Sequence, residues 1–168
     1  MDRRYFLISA GLFTILFGAK IQETQKSKLF SLFESLIPTI EAVQNHLFPQ
    51  GGKIPSAKEM NAIGFLKETL LHRSFDRDTR DFVIEGAKEL IARTDGKFVT
   101  MDENQKERAL RAYEETDYGS SWLHRIMILT MEALFGDPLY GSNIHQSGWR
   151  AIGIFGGEPR PTSRYCQI

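Results

Sequence analysis

A single cysteine, Cys166, occurs in 168 residues. That excludes an internal disulfide, an all-cysteine zinc site and a cysteine-held iron–sulfur cluster. Neither charge is in excess: 21 Lys and Arg face 21 Asp and Glu, for a formal net charge of +0. Nucleic acid is therefore not an expected partner, and neither is a polybasic clamp on a membrane, because both need a surplus of cations. No apolar run reaches the length of about 18 residues that an ordinary spanning helix requires. Catalytic signatures are equally scarce. There is no Cys-x-x-Cys-His for covalent haem and no His-Glu-x-x-His. None of His46, His72, His124 and His145 stands at helical metal-binding spacing from another. The run Gly153-Ile154-Phe155-Gly156-Gly157 follows no strand and opens no helix, so it is not a phosphate cradle. Glu114, Glu115 and Asp117 form a wet charge run, whereas a catalytic carboxylate pair needs two different environments.

Residues 1–19 read as an address. Arg3-Arg4-Tyr5-Phe6-Leu7-Ile8 opens a stretch with no charge from Tyr5 to Ala19. Those 15 residues span about 22 Å as a helix, against roughly 30 Å for a bilayer core. A short apolar run behind a positive start is signal-peptide geometry. Arg3, Arg4, Phe6 and Leu7 resemble a twin-arginine export signal, which implies the twin-arginine translocase as a partner. Asp2 and Ile8 depart from the usual pattern. A plain secretory signal and an N-terminal helix packed into the domain are the alternatives. Leu16-Phe17-Gly18-Ala19 lacks a clean small-x-small cleavage site, so a retained leader is compatible with the sequence. The expected location is the periplasm, at the inner membrane through a complex or an uncleaved signal.

From Lys28, the positions Leu29, Phe30, Phe33, Leu36, Ile37 and Ile40 recur at helical spacing, and Pro38 is expected to kink or end that helix. Ser56 with Glu59 predicts a capping box before a helix to about His72. The next helix starts near Asp76 to Asp78 and stops at Asp95-Gly96. Thr100 with Glu103 predicts a second box, opening a polar helix to about Thr116. Ser121 is expected to cap an apolar helix, 122–135, that ends at Gly136 and belongs in the middle of a bundle. On it, His124 is read as a satisfied core or interface histidine. No segment alternates with strand period. The predicted class is all-α: an irregular bundle of about five helices with an N-terminal signal helix and a Gly/Pro-rich extended tail. Three regions follow, namely the signal at 1–19, a helical domain at 20–135 and a partner-binding tail at 136–168.

That tail holds six of the 14 glycines and three of the six prolines. It cannot build a core of its own, so it wraps onto the helices or lies on another protein. Cys166, left over in an exported chain, points to an intersubunit disulfide or a free thiol. In Asp137-Pro138-Leu139-Tyr140-Gly141, the proline sets one backbone angle, Gly141 can take a positive one and Asp137 can cap local amides, giving a rigid turn that presents Tyr140.

Leu134-Phe135-Gly136-Asp137-Pro138-Leu139-Tyr140-Gly141-Ser142-Asn143, followed by Gly148-Trp149-Arg150-Ala151-Ile152-Gly153, resembles the signature of the gluconate 2-dehydrogenase subunit 3 family. The helix ending in Ile37-Pro38 resembles that family's opening helix. Ser142 replaces a second glycine, and Phe155-Gly156-Gly157 stands where Phe-Pro-Gly is usual. The resemblance implies a non-catalytic small subunit that accompanies a large FAD-dependent dehydrogenase subunit. Electrons would pass from that flavoprotein to a multihaem cytochrome c subunit. No cofactor is expected in the small chain, whose role would be to carry the export signal and assist its partner's maturation. Asp137, Pro138, Tyr140, Gly141, Asn143, Gly148, Trp149 and Arg150 are then the candidate partner-binding residues, with Tyr140 and Trp149 as anchors and Arg150 as an ion-pair donor. The alternative for Tyr140 and Trp149 is packing of the tail onto its own helices. An exported helical protein with a different partner is the alternative for the whole chain.

Overall fold

A computed structural model describes residues 28–163. The leader residues Arg3, Arg4, Phe6 and Leu7, and Cys166 at the other end, lie outside the described residues. The chain divides into two compact units, 1–35 and 36–168. The described part of the first is the opening of a helix, where Ser31 and Ser35 hydroxyls donate to the carbonyls of Lys28 and Leu32 at 3.0 and 2.6 Å. This helix, α1, covers 28–47.

Pro38 does not end α1, which continues to residue 47. A proline inside a helix removes one donor and costs about 3 kcal/mol. Here the following turns are held from outside the helix. Ile40 and Val43 are fully buried. Gln44 is buried too, and its Nε2 donates to Thr130 Oγ1 at 3.1 Å. Packing of an apolar face, not propensity, sets helix stability in a folded chain.

The second unit continues with α2 (Ala62–Leu71), α3 (Arg77–Arg93), α4 (Glu103–Glu114), α5 (Asp117–Phe135) and α6 (Ser147–Ala151). Single 3-10 turns lie at Phe98–Thr100, Pro138–Tyr140 and Ile144–Gln146. No strand occurs among the described residues, so the class is all-α as read from the sequence.

Three helix starts differ from the sequence reading. The Ser56–Glu59 box forms, with Ser56 N donating to Glu59 Oε2 at 2.8 Å and Glu59 N to Ser56 Oγ at 3.2 Å. The Ser56 amide and hydroxyl both donate to the Glu59 carboxyl and hold it below its ordinary range. Yet α2 begins only at Ala62, because Asn61 takes the left-handed conformation (φ 53°). Asn61 tolerates that conformation, and its Nδ2 donates to Gly141 O at 3.0 Å, so a tertiary bond interrupts the local helix. The box at α4 joins Asp102 to Gln105, not Thr100 to Glu103, with bonds of 2.8 and 3.0 Å. Thr100 instead closes a 3-10 turn by donating to Lys97 O. Thr116, not Ser121, caps α5 by accepting from Gly119 N at 3.0 Å. Its hydroxyl satisfies the first turn immediately after α4, so α5 needs no later cap.

α5 touches α2, α3, α4 and α6, which makes it the axis of this unit. Trp122, Ile126, Ala133 and Leu134 are fully buried along it. Trp122 Nε1 donates to Val83 O at 3.0 Å, and the Tyr113 hydroxyl donates to Gly86 O at 3.1 Å. Both tie α3 to the helices on its flank, with the two rings 5.7 Å apart. Burial pushes the Tyr113 hydroxyl pKa well upward. The helix is not buried all round, however. His124, Arg125 and Met131 face solvent, so His124 is an exposed histidine and not a core one.

A side-chain clasp joins the end of α1 to α4. His46 Nδ1 lies 3.0 Å from Glu103 Oε2, and Nε2 lies 2.6 Å from Glu107 Oε2. Lys106 and His46 hold the Glu103 carboxyl below its ordinary value of 4.5, and His46 and Arg111 do the same for Glu107. A depressed folded-state pKa gives stability that is present above the unfolded value and is lost as pH falls through the folded one. The melting temperature is therefore expected to fall on acidification below about pH 4.5, and His46→Ala should flatten that limb. Thermal melts of both proteins across the acid range test this. Parallel limbs would show that the clasp contributes nothing.

Candidate functional site

The glycine-rich segment after α5 closes on itself through side chains that the sequence had singled out. Asp137 Oδ1 accepts from Leu139 N at 2.9 Å and from Arg160 Nη2 at 2.9 Å. Pro138 opens the 3-10 turn, and Gly141 ends it at φ 83°, a conformation that favours glycine. Asn143 is fully buried and clamps two points. Its Nδ2 donates to Gly136 O at 2.8 Å, and its Oδ1 accepts from Gly148 N at 2.9 Å. Asn143, His145 and Gln146 all have positive φ, between 48° and 60°. Such backbone persists only where the surroundings over-determine it, and the Asn143 clamp does so here.

Trp149 is 7% exposed. Its indole Nε1 donates to Phe135 O at 2.5 Å, pinning α6 to the end of α5. A Cβ at Gly148 would lie 1.9 Å from Leu134 O, and one at Gly156 would lie 2.2 Å from the Trp149 ring. These two glycines permit the close approaches that bury the indole. The Arg160 guanidinium covers the ring, 4.7 Å from its centroid, while holding Asp137. Arg150 is exposed, and it donates to its own chain, at the His145 carbonyl.

The eight candidate tail residues therefore share one region, but they do different things. Asp137, Asn143, Gly148 and Trp149 are engaged within the chain. Trp149, expected as an anchor for a partner, is turned inward. Tyr140 is 37% exposed at the edge of a pocket of about 310 Å³ that Phe65, Phe75, His72 and Glu68 also line. Arg160 is not legible in the sequence, because its role depends on residues 11 and 23 positions earlier. Ile152 and Ile154, which in the sequence are only parts of motifs, stand 46% and 51% exposed beside Phe155 at 71%. Alternation of glycine with large apolar residues over 152–157 was the available signal.

Among the described residues, no three His, Cys, Asp or Glu side chains converge in a way that could hold a metal ion. None of the described helices is long and apolar enough to cross a membrane. His46, His124, Glu107 and Glu114 line one groove, in which Glu107 is already engaged by His46 and Arg111.

A family model described as gluconate 2-dehydrogenase subunit 3 matches residues 34–157, well over half of the chain. The match takes in the Asp137–Arg150 signature and the apolar residues after it. No curated protein and no solved structure matches the chain.

Proposed function

The chain belongs to the gluconate 2-dehydrogenase subunit 3 family, and from that premise we propose that it is the non-catalytic small subunit of a periplasmic FAD-dependent gluconate or sugar dehydrogenase. In this reading it carries the export signal and assists maturation of the flavoprotein large subunit, which passes electrons to a cytochrome c subunit. The family match is the observation that carries the proposal. Association with a dehydrogenase complex follows from it. The export role is supported by the leader sequence, in which Arg3-Arg4 precedes Phe6-Leu7 and a short apolar run.

The physical logic is a division of labour. A twin-arginine route moves chains that are already folded. A signal on a chain without a cofactor motif is useful if the cargo is a partner that must bind its flavin before leaving the cytoplasm. The small subunit then needs a durable grip on that partner, and its C-terminal segment offers a rigid platform with apolar side chains at the surface. A Cys166 disulfide would make the grip covalent.

Replacing Arg3 and Arg4 together by lysine is expected to strand both the small chain and the dehydrogenase activity in the cytoplasm. Fractionation with an activity assay reads this directly. Undiminished periplasmic activity in the double variant would contradict the export role.

A further inference from the structure

We propose that Ile152, Ile154 and Phe155 form the surface by which this subunit docks into an apolar recess of the dehydrogenase's large subunit. Trp149 lies beneath them as a positioning residue. The inference rests on the subunit reading above and assigns its contact surface to the apolar residues at the end of the signature.

Three large apolar side chains within four residues stand 46%, 51% and 71% exposed. Scattered exposed apolar residues are ordinary, but a contiguous set is a common mark of an interaction site. A loose loop of this composition would fold its side chains back onto the protein. This one is restrained from doing so. The amides of Ile152 and Ile154 both donate to Trp149 O, at 3.2 and 3.0 Å, and Gly153 N donates to Arg150 O at 3.2 Å. On the far side of Phe155, Gly156 lies against the indole, and Arg160 locks the chain to Asp137. The buried signature thus serves as a mount that holds the apolar residues outward. Ordering entropy is lost on folding of the subunit and not on binding, which favours association.

The partner class follows from charge and family. A peripheral membrane patch draws on clustered cations. Residues 147–163 carry Arg150, Arg160 and Glu158, and Arg160 is paired with Asp137. A protein recess lined by aliphatic or aromatic groups is the chemical complement of these three exposed side chains. The family match reaches to 157, so these residues belong to the portion of the chain shared with a family of dehydrogenase subunits.

The test uses the full chain, affinity-tagged and co-expressed with the large subunit of its complex. The large subunit is identified by mass and by its flavin absorbance. Ile154→Ser combined with Phe155→Ser is expected to cut its recovery by roughly tenfold or more. Phe155→Leu should restore most of it. The melting temperature of the small chain should stay unchanged, since the substituted side chains are exposed. Equal recovery by the double serine variant overturns the proposal. So does a wild-type dimer that the variant dissociates, or wild-type flotation with phosphatidylglycerol–phosphatidylethanolamine vesicles that the variant loses. If the wild-type chain recovers no flavoprotein at all, the subunit reading itself fails, and this surface fails with it.

Discussion

Trp149→Ala is expected to release the C-terminal segment while the helices from α2 to α5 stay folded. The indole is the piece that α6, Gly156 and Arg160 all pack against. Removing a buried tryptophan typically costs about 3–5 kcal/mol. Here the cost falls on a segment with few other large buried side chains. Asn143 would keep its bonds to Gly136 and Gly148, but the strained backbone from Asn143 to Gln146 would lose part of what holds it. The Asp137–Arg160 ion pair is partly exposed and contributes roughly 1 kcal/mol at most, too little to replace the indole. Local opening is therefore the expected response, not global unfolding. Amide exchange at Gly148 and Ile154 should accelerate by about two orders of magnitude or more, since each 1.4 kcal/mol is worth a factor of ten. Protease should cut within 136–163 while the far-ultraviolet spectrum barely changes. Protected amides at both positions would show that the segment does not depend on this ring.

The helical class, the main helix positions and the signature segment were legible from periodicity and from local chemistry. Buried Leu66, Leu70, Val83, Leu90 and Ile126 all lie where the apolar spacing places them. What was not legible has a common physical origin, namely contacts between residues far apart in sequence. Pro38 looks like a stop, but Gln44 and its neighbours are held by α5 through the Thr130 contact. Asn61 looks like an ordinary helix residue after a capping box, yet its bond to Gly141 turns the chain. His46 shows nothing in its own neighbourhood, although Glu103 and Glu107, four apart on α4, mark the face it meets. Trp149 was legible as important, but not the direction in which it acts. An indole can serve as an anchor for a partner or as a pin for its own chain. Whether the glycines beside it face inward decides that, and only the fold shows it.

Inward-facing glycine also explains why Trp122→Ala should have the other large effect, this time on the whole unit. Gly86 lies in the middle of α3, where a glycine costs about 1 kcal/mol relative to alanine. A Cβ there would sit 2.0 Å from Trp122 Cδ1, so the bare backbone is the seat of the indole. Trp122 fills that seat with no exposed surface, donates to Val83 O and stacks at a tilt against Tyr113. Truncation leaves a void that Gly86 has no side chain to fill, and the hydrogen-bonded helices cannot collapse into it. The expected loss is about 3–5 kcal/mol. Alanine's better helix propensity returns only about 0.5 kcal/mol. Against a typical total of about 5–15 kcal/mol, that puts the variant near the edge of folding. At about 2–4 °C per kcal/mol for a chain of this size, the melting temperature should drop by roughly 10 °C or more. The denaturation midpoint should move in step for near- and far-ultraviolet signals, because α3, α4 and α5 meet at this ring. That response separates it from Trp149→Ala, where exchange rises in one segment and the global midpoint holds. A loss below about 1 kcal/mol for Trp122→Ala would mean that the seat closes without its indole, and that the glycine in α3 has another cause.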